Sequence, residues 1–350
     1  MGHGGDIYRN KVKLDFSVNL NPLGMPEEAA GAIIRSAERA GAYPDTLQEE
    51  VRAAIASVSG ITPDNVWAGC GASELILACV RAAAPKEALL FDPCFAGYRH
   101  ALNAAGCHVT SHILGGESGF SITAEDVRAI GDDTDIVFVC DPANPSGVNM
   151  DEGVLTALLD RAAKAGAAVI LDESFYPMSD KAYPDPERRS SKLLSGYGNL
   201  CIIRSLTKIL AVPGIRAGYV MSAADNIRRI AAQLPEWNLP VVSEEVIRTG
   251  IGIVSDGDFL SRMHGVICRE RARLEKELEE RDYRVIYGNA SYILFNGPED
   301  LYDRLLQREI LIRDCSDFSG LGKGWYRIAV KSPEENESFI KTLREMEDED

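Results

Sequence analysis

The clearest indication of how this chain folds is the stretch Leu200-Cys201-Ile202-Ile203-Arg204-Ser205-Leu206-Thr207-Lys208. Its first half is short, apolar and β-branched, which predicts a buried strand. Ser205 and Lys208 then lie where that strand ends, and Arg216 follows eight residues after the lysine. In open α/β sheets, ligands bind at the carboxyl ends of the strands. A lysine desolvated at such a place has a lowered pKa, which makes its amine a nucleophile able to form a Schiff base.

The residues around this lysine suit an anion. Ser205 and Arg216 can both hydrogen-bond to a negatively charged group beside Lys208, and phosphate is the natural candidate. An isolated S-x-x-K is also typical of a surface lysine in a loop. The remainder of the chain has to distinguish these two interpretations.

Composition limits the classes of function. The chain has 350 residues, enough for one large domain and a smaller one, and a net charge of −16 argues against nucleic acid and anionic membranes as partners. No apolar run approaches the roughly 20 residues of a transmembrane helix, and the N-terminus does not resemble a signal peptide. The eight cysteines form no C-x-x-C pair, which indicates reduced thiols and a cytoplasmic protein.

The order of predicted elements indicates an α/β fold. From residue 66 onward, near-continuous apolar strands alternate with helices, which predicts a mostly parallel sheet buried on both faces. The segment 234–240 breaks this pattern, and the long helices and two strands after it predict a second, smaller α+β domain. We expect a large domain at 36–238 and a small domain formed by 1–35 and 239–350. The predicted strands of the large sheet are Val66–Ala68, Ala88–Phe91, Ile136–Cys140, Ala168–Leu171, Cys201–Ile203 and Tyr219–Met221.

Polar groups follow three of the other predicted strands. Asp172 ends a buried strand, where a carboxylate is costly unless it is paired, although it could simply cap the following turn. Asn144 lies in a Pro- and Gly-rich segment that could be only a turn. Gly71, Ala72 and Ser73 open a helix whose exposed N–H groups and dipole favour a phosphate. His108 and His112 share a strand face, but with no acidic third ligand expected nearby we predict no metal site.

Taken together, these motifs resemble those of the pyridoxal-phosphate (PLP) enzymes of the class I/II aminotransferase family, in order and across residues 15 to 330. The resemblance implies the PLP-dependent transferase fold of type I, with a seven-stranded large-domain sheet, and PLP as cofactor. It implies that Lys208 carries the cofactor, that Asp172 pairs with the pyridinium N–H and that Asn144 contacts the 3′-oxygen. The phosphate would be held by Ala72, Ser73, Ser205 and Arg216.

The resemblance assigns further roles. Phe95 would stack on the pyridine ring, with Tyr98 as the competing choice, and Arg327 would grip the α-carboxylate of the substrate. Tyr43 would reach the cofactor phosphate of a partner subunit, which implies a homodimer with shared sites. Many relatives carry a tyrosine three residues after the aspartate, where this chain has Phe175, so Asn144 would act without it.

Two subgroups of the family look similar to this chain, namely the histidinol-phosphate aminotransferases and the threonine-phosphate decarboxylases of cobalamin synthesis. The segments His3-Gly4-Gly5-Asp6, 15–24 and 312–316 resemble the decarboxylases. In that case the substrate is a small phosphorylated amino acid, and its phosphate would be held by His3, Asn19, Arg313 and Lys331, although a residue so close to the terminus is often disordered. A PLP-fold binding protein without catalysis is the remaining alternative, and the intact Lys208, Asp172 and Arg216 argue against it.

Overall fold

A computed structural model describes residues 4–182, 185 and 187–348 of the chain. Within these residues the strands are β1 (Leu14–Asp15), β2 (Val66–Gly69), β3 (Glu87–Asp92), β4 (His108–Ile113), β5 (Ile136–Cys140), β6 (Ala168–Asp172), β7 (Leu200–Ser205), β8 (Gly218–Ser222), β9 (Arg284–Ile286), β10 (Tyr292–Asn296), β11 (Ile310–Leu311), β12 (Arg313–Asp314) and β13 (Trp325–Ala329).

The helices connect these strands and cover their sheets. They are α1 (Glu27–Ser36), α2 (Glu49–Ser59), α3 (Ala72–Ala83), α4 (Ala96–Ala104), α5 (Glu152–Ala165), α6 (Arg188–Gly196), α7 (Leu206–Ile209), α8 (Ala224–Ala231), α9 (Val241–Val254), α10 (Gly257–Glu279), α11 (Leu301–Gln307) and α12 (Pro333–Asp348). None of the helices in the described part of the chain combines the length and the apolar character needed to cross a membrane.

The large sheet has seven strands in the order β2-β8-β7-β6-β5-β3-β4. Only β8 runs antiparallel to its neighbours, and the other pairs are parallel. Alternate residues of β6 pack into different clusters, with Val169 and Leu171 on one face and Ile170 on the other. Because successive side chains of a strand point to opposite faces, this confirms a sheet buried on both sides. All six strands predicted for it are present.

A second sheet is antiparallel, with the order β12-β13-β10-β9, and β1 pairs separately with β11. Its core includes Phe16 from the N-terminal segment, which packs on Phe339 of α12 with ring centroids 4.7 Å apart. The N-terminal and C-terminal segments therefore share one core. The domain limits given above stay a prediction.

The sequence analysis expected no acidic residue near the two histidines of β4, but the structure places one beside each of them. His108 contacts the Glu87 carboxylate and His112 contacts the Asp126 carboxylate, each at 2.7 Å. Glu87 comes from the adjacent strand β3 and Asp126 from a later turn, so neither neighbour could be found from local spacing. Each histidine has its own carboxylate, and the two do not converge on a common point.

Candidate active site

The carboxyl ends of β2, β6 and β7 open onto a cavity of about 240 Å³. The antiparallel pair β12 and β13 contributes the opposite wall. The cavity therefore lies between the large sheet and the second sheet. It brings together eleven of the residues singled out in the sequence, namely Asn19, Ala72, Ser73, Phe95, Asn144, Asp172, Ser205, Lys208, Arg216, Arg313 and Arg327.

Lys208 lies in the short helix α7 directly after β7. Its pKa is lowered from 10.5 to about 8. Loss of hydration is the largest cause, repulsion from Arg327 and Arg216 adds to it, and the Asp172 charge opposes the shift. Roughly a tenth of the amine is then uncharged at pH 7. Its Nζ lies 6.0 Å from the ring centroid of Phe175, so an aromatic face lies beside the amine. The environment is that of an amine prepared to act as a nucleophile.

Asp172 is the last residue of β6 and is buried. Its Oδ1 accepts a hydrogen bond from the backbone N–H of Ser174 at 2.9 Å, so the carboxylate does cap the following turn. Its Oδ2 accepts from the hydroxyl of Tyr98 at 2.7 Å. Burial, and then the Asp172 charge, raises the pKa of Tyr98 well above its ordinary value, so this hydroxyl stays a donor. The sequence analysis missed this contact, because 74 residues separate the partners.

The two aromatic residues considered for the cavity occupy different places. Phe95 lines the cavity and meets Tyr98 edge-on, with ring centroids 5.5 Å apart. Tyr98 is buried behind it and stacks on Phe138 at 4.7 Å. Phe95 is therefore the ring available to a bound molecule, and Tyr98 supports the Asp172 carboxylate.

One end of the cavity is a cradle for an anion. The helix α3 begins at Ala72 after Gly71, whose φ of 76° lies in the left-handed region that favours glycine. A Cβ atom at Gly71 would lie 2.7 Å from Nη2 of Arg216, so the guanidinium packs against the bare backbone. Ser205 Oγ lies 2.7 Å from Thr207 Oγ1, which adds a hydroxyl that the sequence analysis missed although it belongs to the same motif. Helix N–H groups, hydroxyls and a guanidinium together suit a phosphate.

The other end of the cavity holds two arginines. Arg313 and Arg327 are directly opposite each other in the register of β12 and β13. Arg327 donates to Asn144 Oδ1, and its Nη2 donates to the Ser17 carbonyl at 3.1 Å. Nη2 of Arg313 donates to the Asp317 carboxylate at 2.6 Å. Two adjacent guanidinium groups can bind two anionic groups of one molecule.

Three buried polar atoms of the cavity-lining residues have no hydrogen-bond partner among the described residues. They are Asn19 Oδ1, Ser174 Oγ and Arg327 Nε. A buried polar group without a partner is costly, so such atoms indicate where a bound molecule completes the site.

Three residues of the sequence analysis are not in the cavity as described. Lys331 follows β13, its ammonium lies 3.6 Å from the Glu335 carboxylate, and it is not among the described residues that line the cavity, so its contact with a substrate phosphate stays a prediction. Tyr43 is 80% exposed and packs against Trp237 on the surface. His3 lies outside the described residues, but Gly4, which follows it, lines the cavity.

Comparisons with known proteins agree with this geometry. The family model "Aminotransferase class I and II" matches residues 11–343. Threonine-phosphate decarboxylase from Salmonella typhimurium is 30% identical over an alignment covering 98% of this chain and 95% of that protein. Histidinol-phosphate aminotransferase from Methanosphaera stadtmanae is 28% identical, covering 94% and 89% respectively. The crystal structure of the histidinol-phosphate aminotransferase from Clostridium acetobutylicum superposes with a TM-score of 0.85 at 28% identity, covering 96% of this chain and 99% of that one.

The cofactor of this family fits the residues present. Pyridoxal phosphate offers an aldehyde, an aromatic ring with a basic nitrogen, and a phosphate, and the cavity offers an amine, an aromatic face with a buried carboxylate, and an anion cradle. The match of the family model over most of the chain and the 30% identity to a full-length relative agree with these groups. The chain therefore belongs to the aminotransferase class I and II family and is a PLP-dependent enzyme of fold type I.

Proposed function

We propose that this enzyme acts on an α-amino acid that also carries a phosphate, and that its reaction is decarboxylation of L-threonine O-3-phosphate to 1-amino-2-propanol phosphate. The observation that carries the proposal is the cross-strand pair of Arg313 and Arg327 on the wall of the cavity that holds Lys208. The anion cradle at Arg216 serves the cofactor phosphate. The arginine pair then remains for two anionic groups of the substrate.

Each cofactor group has a proposed partner in this chain. Lys208 provides the amine that holds the cofactor, Asp172 faces its ring nitrogen, Phe95 its ring face and Asn144 its 3′-oxygen. Its phosphate is held by Ala72, Ser73, Ser205 and Arg216. When bound, pyridoxal phosphate supplies an electron sink for a bond broken at the α-carbon of the substrate.

The substrate is held at two points. Arg327 is fixed between Asn144 and the Ser17 carbonyl, so its guanidinium is positioned to bind the α-carboxylate. Arg313 binds the substrate phosphate, with Asn19 and the N-terminal arm near His3 as further donors. Gly4 supports this placement of the arm because it lies on the cavity wall.

Two fixed points on the substrate would determine which bond of its α-carbon is the one to break. If that bond is the one to the carboxylate, CO₂ would leave and the α-carbon would need a proton in its place. Lys208 is the group that can deliver this proton, because its pKa of about 8 lets the amine exchange protons near neutral pH. If it is the C–H bond instead, Lys208 would remove that proton and the enzyme would act as an aminotransferase.

Transamination of histidinol phosphate is the second candidate. It is favoured by the similarity to histidinol-phosphate aminotransferases in both sequence and structure. In that reaction Arg313 would bind the phosphate of histidinol phosphate. Histidinol phosphate has no carboxylate, so Arg327 would bind the α-carboxylate of the amino-group acceptor, 2-oxoglutarate, instead. The segments that resemble the decarboxylases and the similarity to the Salmonella typhimurium enzyme favour decarboxylation.

We also propose that the enzyme is a cytoplasmic homodimer with shared sites. Tyr43 and Trp237 form an exposed aromatic pair with centroids 4.8 Å apart, and a surface of this kind suits a contact with a second copy. The large domain would comprise 36–238 and the small domain 1–35 with 239–350. The eight cysteines are all free in the structure, which suits a reducing compartment.

Two incubations distinguish the candidate reactions. The enzyme with PLP is given O-phosphothreonine and CO₂ is measured, and in parallel it is given histidinol phosphate with 2-oxoglutarate and glutamate is measured. We expect CO₂ release without any need for 2-oxoglutarate. Glutamate formation without CO₂ release would assign the enzyme to transamination, and turnover of threonine as efficient as that of phosphothreonine would contradict the phosphate-binding role.

A further inference from the structure

A second cluster of reactive side chains lies outside the cavity. Asp180 is in the loop that leaves the large sheet after β6, while His264 and Cys268 are four residues apart and share one face of α10. One polar atom from each of the three side chains forms a corner of a small triangle. Cys268 Sγ lies 3.3 Å from both His264 Nε2 and Asp180 Oδ1, and these two atoms lie 3.4 Å apart.

The size of this triangle matches a tetrahedral metal centre. Zinc bonds of about 2.3 Å to sulfur and about 2.0–2.2 Å to nitrogen and oxygen place the sulfur roughly 3.5–3.7 Å from the other two ligand atoms and the nitrogen roughly 3.3–3.6 Å from the oxygen. Each side of the observed triangle is therefore within about 0.4 Å of the tetrahedral value. Hydrogen bonds among the three side chains cannot explain all three short distances of the triangle. One thiol proton and one Nε2 proton can account for at most two of its three sides, whereas one cation at its centre satisfies all three atoms.

The Asp180 carboxylate of the cluster is fixed by hydrogen bonds from Arg271, which lies outside the cluster. Arg271 donates to both oxygens of Asp180, through Nη1 to Oδ1 at 3.2 Å and through Nη2 to Oδ2 at 2.5 Å. The backbone N–H of Asp180 donates to the Asn289 carbonyl at 3.1 Å. Outer partners of this kind orient a metal ligand before the metal binds. The Arg271 charge offsets part of the negative charge of Asp180, so the site depends on the Cys268 thiolate for much of its attraction to a cation.

We propose that Asp180, His264 and Cys268 bind one zinc-class divalent cation, with the solvent-facing side left for a water molecule. The side chains of His264 and Asp180 are 25% and 30% exposed, which gives the ion a path of entry. The thiol proton of Cys268 is released to solvent as the metal–sulfur bond forms. The cation would tie the loop after β6, eight residues beyond Asp172, to the long helix α10.

The test uses the purified PLP-loaded enzyme after removal of metals with a chelator. Zinc bound per chain is measured by equilibrium dialysis with metal analysis, and Co²⁺ is titrated as a spectroscopic probe. We expect about one zinc per chain. Cobalt should give the visible bands of a tetrahedral site at wavelengths longer than the cofactor absorbs, and zinc should remove them. Zinc should also raise the midpoint of thermal unfolding.

Variants assign the metal to this cluster. Cys268→Ser keeps the size of the side chain and should weaken zinc binding at least about tenfold, because losing a ligand costs no less than losing an outer partner. His264→Ala is a second variant with the same expectation. Cys107→Ser, a cysteine outside the cluster, is the matched control and should bind zinc as the unaltered enzyme does. Absence of stoichiometric zinc in the unaltered enzyme, or equal binding by Cys268→Ser and Cys107→Ser, would overturn the proposal and leave a hydrogen-bonded triad.

Discussion

Replacement of Arg313 by alanine tests the proposed grip on the substrate phosphate. Arg313 is largely buried on the cavity wall, and both arms of its guanidinium already have a partner. Nη2 donates to the Asp317 carboxylate at 2.6 Å, and Nη1 donates to the Asp314 carbonyl. We therefore count one new charge-assisted hydrogen bond to the substrate phosphate, and not a bidentate pair of hydrogen bonds. Such a contact contributes about 1.5–3 kcal/mol, which corresponds to about 10- to 150-fold in kcat/KM.

The assay is CO₂ release from O-phosphothreonine and from threonine by the unaltered enzyme and by Arg313→Ala. The ratio of the two substrates' kcat/KM values isolates the contact with the phosphate, because general effects on the fold cancel. We expect the preference for the phosphorylated substrate to fall about 10- to 150-fold while the affinity for PLP changes less than about twofold. Arg313→Lys should lose less, since it keeps a positive charge without the planar fork.

Lys331→Ala is the matched control for this experiment. Its ammonium faces Glu335, and it is not among the described residues that line the cavity, so we expect less than about a twofold change with either substrate. The reasoning is refuted if Arg313→Ala weakens both substrates equally, or if Lys331→Ala costs as much as Arg313→Ala.

Four further predictions concern the cofactor site. Lys208→Ala should abolish turnover and the PLP adduct that borohydride makes permanent, and an adduct retained on another lysine would contradict the assignment. Because the pKa of Lys208 is lowered to about 8, its uncharged amine increases up to that pH and then levels off, so capture of PLP by the cofactor-free enzyme should rise about tenfold per pH unit below pH 8 and flatten above it. Stopped-flow absorbance measures this profile, and a rate that keeps rising towards pH 10.5 would show an ordinary lysine. Tyr98→Phe removes the donor to Asp172 and should lower the free energy of unfolding of the enzyme by about 1–3 kcal/mol in urea titrations, whereas an unchanged value would show that the hydrogen bond contributes nothing. Mixed dimers of Lys208→Ala and Tyr43→Phe chains should recover part of the activity if Tyr43 acts across the interface, and a fully active monomer in sedimentation would exclude that role.

Much of the fold could be predicted because its signals are local. The apolar strands of the large sheet and the S-x-x-K segment are readable from residue type and spacing alone. The residues that follow parallel strands necessarily meet at one edge of the sheet, which is why Asp172, Ser205 and Lys208 all line one cavity. The motifs after β2 and β5 converge on the same cavity for the same reason.

Contacts between distant segments could not be predicted in this way. The hydrogen bond from Arg327 to Asn144 spans 183 residues, and that from Tyr98 to Asp172 spans 74. The sequence names each of these side chains, but the partner depends on how the second sheet packs against the large one. The Asp180 cluster is a further case, because its aspartate comes from a loop and its other two ligands come from α10.

Arg313 and Lys331 also show the difference between what local sequence predicts and what tertiary packing decides. Both are basic residues beside short strands near the C-terminus, and the sequence alone supports either as a ligand for a substrate phosphate. The direction of a side chain depends on which face of the sheet its strand position points to and on the charged groups that it contacts there. Pairing of β12 with β13 places Arg313 opposite Arg327 on the cavity wall, whereas Lys331 lies beyond the end of β13 and meets Glu335. The pattern of residues along the chain was enough to predict the element order and the reactive lysine, whereas the packing of the two sheets decided which charges surround that lysine.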